Sequence, residues 1–212
     1  MLRFVASVMI VSGALLIADA AATLAWQEPV SALLAEREQS RLDGQLDRAR
    51  DLAARDRREQ PGEPDLAALA ARQRRRTKEG DAVGRIELPE LGRSYAIVEG
   101  TESAPLRKGP GHYPDTPLPG ERGTVGVAGH RTTYGAPFRT IDRLERGDEI
   151  VMDMPYGRFV YEVEKTQIVE PTKISVTDTV RYDRLVLSAC HPLYSAAQRL
   201  IVFARLDRTE PV

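Results

Sequence analysis

Cysteine is almost absent from this chain of 212 residues, which holds one, Cys190. A single thiol excludes an intrachain disulfide and any zinc site built on several cysteines. Histidine is scarce too, with three. A metal site using Cys190, His191 and His130 fails on spacing, because His191 directly follows the cysteine and no further cysteine is there to complete the set. No metal and no cofactor is expected. Excess charge of either sign is also missing. The 30 basic and 31 acidic side chains leave a net charge of -1, which gives no electrostatic argument for nucleic acid. Aromatic residues make up 6% of the chain, and long apolar runs are missing except at the N-terminus.

That one run, Phe4 to Trp26, is apolar or small, with Asp19 its only charged residue. As a helix it would span roughly 34 Å, enough to cross a bilayer. Arg3 and the amino terminus precede it and Glu28 is the first charge after it, so the positive-inside rule puts the N-terminus in the cytoplasm and the rest outside. Ala18-Asp19-Ala20 has the small-x-small form of a signal-peptide cleavage site. The apolar stretch continues past it to Trp26, an interfacial residue type, so a retained single-pass anchor over residues 1–27 is the expectation. It implies a cell-membrane protein whose remainder is extracellular.

Residues 28–81 read as a charged helical stalk or linker. Leu42, Leu46, Ala49 and Ala53 recur at the spacing of a thin apolar stripe, Pro61, Gly62 and Pro64 interrupt it, and Asp65 is suited to cap a second helix. Two short helices are expected. So narrow a stripe, half alanine, predicts a solvated spacer more readily than a dimerising coiled coil. The cluster Arg72, Arg74, Arg75, Arg76 and Lys78 reads as a solvated charge run.

From Val83 the texture changes to β. Alternating or continuous apolar segments at 84–88, 95–98, 123–129, 149–154, 158–170, 184–189 and 200–206 are separated by turn signals such as Gly109-Pro110-Gly111, Pro119-Gly120 and Gly147-Asp148. Seven or eight short strands, with one short helix near 136–144, predict a mainly β unit over residues 82–212 that closes into a barrel.

Cys190 falls at the end of the strand that begins at Arg184, and Arg199 at the start of the next. If the two strands pair, thiol and guanidinium meet across the ladder. A guanidinium there stabilises a thiolate and can hold a carbonyl oxygen. Among the histidines, His112 sits between glycines and prolines, where a surface or turn-bonding role is the default. His191 adjoins Cys190, and neighbours in extended backbone point to opposite faces, so it is poorly placed to exchange a proton with the thiol. His130 instead ends a Gly-rich apolar strand and enters the loop Arg131-Thr132-Thr133-Tyr134-Gly135. Cys190, His130 and Arg199 together supply the residue types of thiol acyl transfer.

These residues lie in blocks that resemble the sortases. The blocks are Gly109-Pro110-Gly111-His112-Tyr113-Pro114 with Leu118-Pro119-Gly120, then Val127-Ala128-Gly129-His130-Arg131, then Leu187-Ser188-Ala189-Cys190 with Arg199. The resemblance covers about residues 82–207 and implies an eight-stranded sortase-type β-barrel with short helices. It also implies a membrane-anchored transpeptidase that acts on proteins bearing a C-terminal sorting signal and joins them to an amine of peptidoglycan or of a pilin. On that resemblance Cys190, His130 and Arg199 are catalytic, and Tyr134, Ala189 and Thr132 lie beside the substrate. Val186 and Ala189 stand where the family's Thr-Leu-x-Thr-Cys block has threonines, which removes a hydroxyl beside the nucleophile. The Cys-His-Pro-Leu-Tyr-Ser and His-Arg-Thr-Thr-Tyr-Gly segments are most similar to class E.

Other classes fit less well. An L,D-transpeptidase also uses exported Cys and His, yet His191-Pro192-Leu193-Tyr194 lacks the arginine which that family usually has two residues beyond its cysteine. A papain-like protease carries its cysteine on a helix with the histidine downstream, whereas here His130 comes sixty residues earlier. A non-catalytic envelope scaffold would leave the thiol inert.

Overall fold

A computed structural model describes the backbone of residues 1–26, 29–59 and 65–210, and their side chains except at 2, 19–26, 29–30 and 56–59. Among the described residues eight strands form: β1 (Ala82–Leu88), β2 (Arg93–Glu99), β3 (Gly111–His112), β4 (Thr124–Ala128), β5 (Glu149–Met154), β6 (Gly157–Val169), β7 (Arg184–His191) and β8 (Gln198–Glu210). They close in the order β1-β2-β3-β4-β7-β8-β6-β5, with β5 pairing back onto β1. The pairs β2–β3 and β4–β7 are parallel. Closure gives every strand two neighbours and puts alternate side chains inside. On β7 these are Leu185, Leu187 and Ala189, and on β8 Leu200, Val202 and Ala204, all packed with Phe138, Phe159 and Tyr161 into one core.

The expected strands are all present, and β3 is an addition. Its two residues pair with Val98 and Glu99 of β2 and with Val127 and Ala128 of β4, bridging the barrel where the sequence shows only glycine and proline. Of the surface or turn-bonding role expected of His112, the structure shows the second, made in the interior rather than at the surface. The residue is fully buried, with Nδ1 3.0 Å from Glu99 Oε2 and Nε2 3.1 Å from the Pro117 carbonyl oxygen, so both ring nitrogens face acceptors. The helix expected near 136–144 shrinks to one 3-10 turn at Ile141–Arg143, because Phe138 and Ile141 are drawn into the core and the backbone follows them.

Three helices precede the barrel: α1 (Leu2–Trp26), α2 (Pro29–Glu59) and α3 (Leu66–Arg76). Among the described residues no helix is long and apolar enough to cross a membrane. The described side chains of the expected span stop at Ala18, and Gln27 and Glu28 lie outside the described residues. So do Pro61, Gly62 and Pro64; Asp65 caps α3 as expected, its Oδ1 accepting from the Ala68 N–H at 3.0 Å. Arg74 forks onto Glu121 at 3.1 Å, while Arg72, Arg75, Arg76 and Lys78 are exposed.

The stripe on α2 is not solvated, and α2, at 31 residues, is not short. Leu42 and Leu46 are 2% and 1% exposed, packed on Ala96 and Val98 of β2. Polar side chains flank this seam. Gln39 accepts from the Ala96 N–H at 2.8 Å and donates to the Ala96 and Lys108 carbonyls at 3.1 and 2.8 Å, filling the ladder positions of β2 that short β3 leaves open. Asp43 pairs with Arg85, and Arg50 with Asp153 at 2.7 Å. Two leucines suffice for docking because each buried side chain contributes about 2 kcal/mol and the flanking amides bond backbone groups that would otherwise be unpaired.

Candidate active site

Because β4 and β7 are parallel neighbours, in register at Ala128 and Ser188, their C-terminal ends emerge on the same rim. The Gly129 N–H donates to the Ser188 carbonyl at 3.0 Å, and the next residues along the two chains include His130 and Cys190. On the other side β8 runs antiparallel to β7 and puts Arg199 directly opposite Cys190. The inward set on β7 is Leu185, Leu187 and Ala189, so Cys190 falls on the outward face with Val186 and Ser188. Farther down that face Val186, Ile201 and Phe203 are covered by Val169 and Val176, which leaves the half-buried Cys190 at the open end.

Arg199 Nη1 donates to the Ala196 and Gln198 carbonyls, each at 3.0 Å. The guanidinium is thus held by its own loop, and among the described residues Nε and Nη2 have no bonding partner.

The loop after β4 is tightly made. Phe138 N–H donates to the His130 carbonyl at 2.9 Å and Ala136 N–H to the Thr133 carbonyl at 2.8 Å. Any Cβ at Gly129 would lie 2.4 Å from the buried Phe138 ring, so only glycine fits before His130. Tyr134 and Ala136 are left-handed, with φ of 51° and 45°, a strain of order 1–3 kcal/mol at each. The Tyr134 ring lies 5.2 Å from the His130 ring, with the Arg107 guanidinium 5.6 Å above the tyrosine. Beneath the loop, α2 supplies Ser31, whose Oγ accepts from the Tyr134 N–H at 3.4 Å, and Ala35, 3.6 Å from where a Cβ on Gly135 would be. Burial, and after it the positive charge of Arg107, holds the His130 imidazole below its ordinary pKa.

Of the residues expected beside the substrate, Tyr134 is half-buried on this rim, and among the described residues nothing bonds its hydroxyl. Thr132 lies half-buried in the same loop, with no described contact to Cys190. Ala189 is 3% exposed and its side chain points into the barrel core, as strand alternation requires of the residue before an outward cysteine.

Two residues given no role in the sequence reading join the site. Arg107, on the turn after the short helix α4 (Ser103–Leu106), lies over Tyr134 and acts on His130. Arg131 is 3% exposed and bonded to Asp142, to the Arg139 carbonyl and to the Cys190–His191 strand end. Arg139 in turn donates through Nη2 to Tyr194 Oη at 3.3 Å. The only available signal for Arg131 was its place directly after His130. The assembled groups are a nucleophilic sulfur, an adjacent fork of N–H donors and a nearby imidazole, the parts needed to open an acyl group and pass it on.

Comparison with known proteins agrees with this geometry. The sortase-domain family model matches residues 86–207. Sortase D of Bacillus subtilis is 37% identical over 131 residues, 59% of this chain and 64% of that one. Sortase SrtE1 of Streptomyces coelicolor is 32% identical over 150 residues, 62% of this chain and 42% of that one, so this chain spans less than two thirds of both relatives. The solved structure of sortase E from Streptomyces avermitilis is 36% identical, covers 64% of this chain and 93% of its own, and superposes with a TM-score of 0.59.

Proposed function

Since the chain belongs to the sortase family of cysteine transpeptidases, we propose that it cleaves a Leu-x-x-Thr-Gly sorting signal between Thr and Gly and joins the threonine to an amine of the cell wall or a pilin. The observation that carries this reading is the direct pairing of Cys190 with Arg199 on the outward face of β7 and β8, beside the strand end that leads to His130. The Cys190 thiolate attacks the threonine carbonyl carbon, and Arg199 donates to the oxygen as negative charge develops on it. The tetrahedral species collapses, the C–N bond breaks, and the His130 imidazolium gives its proton to the departing glycine amine. An incoming amine then loses a proton to His130 and attacks the thioester, which restores the thiolate. Thiolate and imidazolium must coexist. For a free thiol and imidazole about two pKa units apart only about one molecule in a hundred is in that state. The depressed pKa of His130 lowers the fraction further and predicts slow turnover.

Tyr134 bears on the second position of the signal. Its ring is fixed against His130 on the rim, where its hydroxyl can bond the peptide backbone at that position. Proline has no N–H to offer, and leaving a buried partner unpaired costs roughly 1–3 kcal/mol. The chain incubated with Leu-Ala-x-Thr-Gly and Leu-Pro-x-Thr-Gly peptides plus an amine, followed by mass spectrometry, should yield amide-exchanged product, faster from the alanine peptide. Tyr134→Phe should narrow the gap. No product from either peptide removes the transpeptidase reading, while equal kcat/KM values remove only the preference for alanine at the second position.

In this reading residues 82–212 are the catalytic unit, and α1 is the membrane anchor. The support is the apolar run from Phe4 to Trp26 in the sequence and, among its described side chains, Phe4, Met9, Ile10, Leu15, Leu16 and Ile17, all at least 65% exposed, an apolar surface that lipid would cover. A reporter fused after Val212 should be active only if it matures outside the cell; activity from a cytoplasm-only reporter reverses the topology.

A further inference from the structure

We propose that Arg131 is the positioning residue of the nucleophile: its guanidinium ties the His130 loop to the end of β7 and fixes the proton of His191 on Nε2. The inference rests on Cys190 being the nucleophile.

The β4–β7 ladder ends at Ala128 and Ser188, with one further bond from the Gly129 N–H to the Ser188 carbonyl. Beyond that point no backbone bond joins the two chains among the described residues, although the acid–base group and the nucleophile lie on these two ends. Arg131 spans the gap. Nη2 meets Asp142 Oδ2 at 3.0 Å, Nε and Nη2 donate to the Arg139 carbonyl at 3.2 and 3.0 Å, and Nη1 reaches the Cys190 carbonyl at 3.5 Å and His191 Nδ1 at 3.3 Å. One planar group thus joins its own loop, the 139–142 turn and the nucleophile's strand end, and a planar fork holds a fixed angle between segments where a single ammonium would not. A guanidinium 97% out of solvent needs a counter-charge and bonded N–H groups, and Asp142 with the carbonyls supplies both.

The contact with His191 carries chemical information. Arginine has donors and no acceptor, so the nitrogen facing Nη1 must accept, and the ring proton is left on Nε2. The ring of His191, nearest to Cys190 in sequence, is thereby engaged at Nδ1 by the same fork that holds the Cys190 carbonyl.

The test uses the full chain with 15N-labelled histidine. Long-range 1H–15N spectra, with His191 assigned by His191→Gln, should show its Nδ1 unprotonated and Nε2 protonated at neutral pH; an Nδ1–H tautomer overturns the inference whatever the variants do. In Arg131→Lys, His191 should shift toward a tautomer mixture, kcat should fall about tenfold or more with KM within about twofold, and the pH profile of Cys190 alkylation should move. An unchanged tautomer with unchanged kcat overturns it. Should Arg131→Lys unfold, Arg131→Ala supplied with millimolar methylguanidine gives the second arm: recovery of rate and tautomer together supports the assignment, and recovery of melting temperature alone makes Arg131 merely structural. The parent tautomer is read without any substrate, so a chain that fails on sorting peptides still leaves this reading tested.

Discussion

Cys190→Ala is expected to abolish both hydrolysis and amine transfer of a sorting-signal peptide, and Cys190→Ser to leave at most a trace. The sulfur is the one atom in the site able to form the acyl intermediate, and the structure offers no substitute: the neighbouring outward residues are Ser188, 6% exposed farther down the strand, and the paired Arg199. A serine hydroxyl is far less acidic than a thiol. The nearby imidazole that would have to deprotonate it belongs to His130, whose burial makes it a weaker base than free histidine. The measurement is single-turnover mass spectrometry, in which the parent shows the acyl-enzyme mass on Cys190 and the variants do not. Retained turnover in the alanine variant would end the covalent mechanism.

Arg199→Lys should lower kcat/KM by about 10²-fold or more, equivalent to about 2.7 kcal/mol of transition-state stabilisation. In the parent, Nη1 is engaged by the Ala196 and Gln198 carbonyls, so the guanidinium is fixed in orientation before substrate arrives and its other donors are left to the oxyanion. An ammonium can satisfy those carbonyls or the oxyanion, but cannot hold a planar fork between them. Comparing kinetics with the melting temperature separates this from a loosened loop. A lysine variant within about twofold of the parent would make Arg199 a structural clamp for the β7–β8 connection.

Much of this site is legible in the chain because strand pairing is a local rule. Two apolar runs flanking a short connection must form a hairpin, and that pairing alone sets Cys190 opposite Arg199. The emergence of His130 on the same rim is not local: it depends on β4 lying parallel to β7 across sixty residues, and only the order of the three sequence blocks hints at it. The resemblance alone places Ala189 beside the substrate, whereas alternation along β7 turns its side chain inward. The docking of α2 was missed for an energetic reason. Leu42 and Leu46 look too few to hold a helix, and the polar residues that complete the seam, Gln39 and Asp43, resemble any solvated side chain until their partners on β1 and β2 are known. The burial of His112 is likewise hidden in the sequence, since two residues of strand leave no periodicity to detect.

The amide of Gln39 has one more consequence, for solubility. It stands in for a strand along β2, bonding the Ala96 N–H and carbonyl, while Leu42 and Leu46 shield the apolar pair Ala96 and Val98. A barrel trimmed to begin at β1 would present that stretch bare, as hydrogen-bonding backbone beside a greasy patch, which is the template on which neighbouring molecules zip together edge to edge. The helix that links the barrel to its N-terminal segment is thus also what keeps crowded copies of the barrel from sticking to one another.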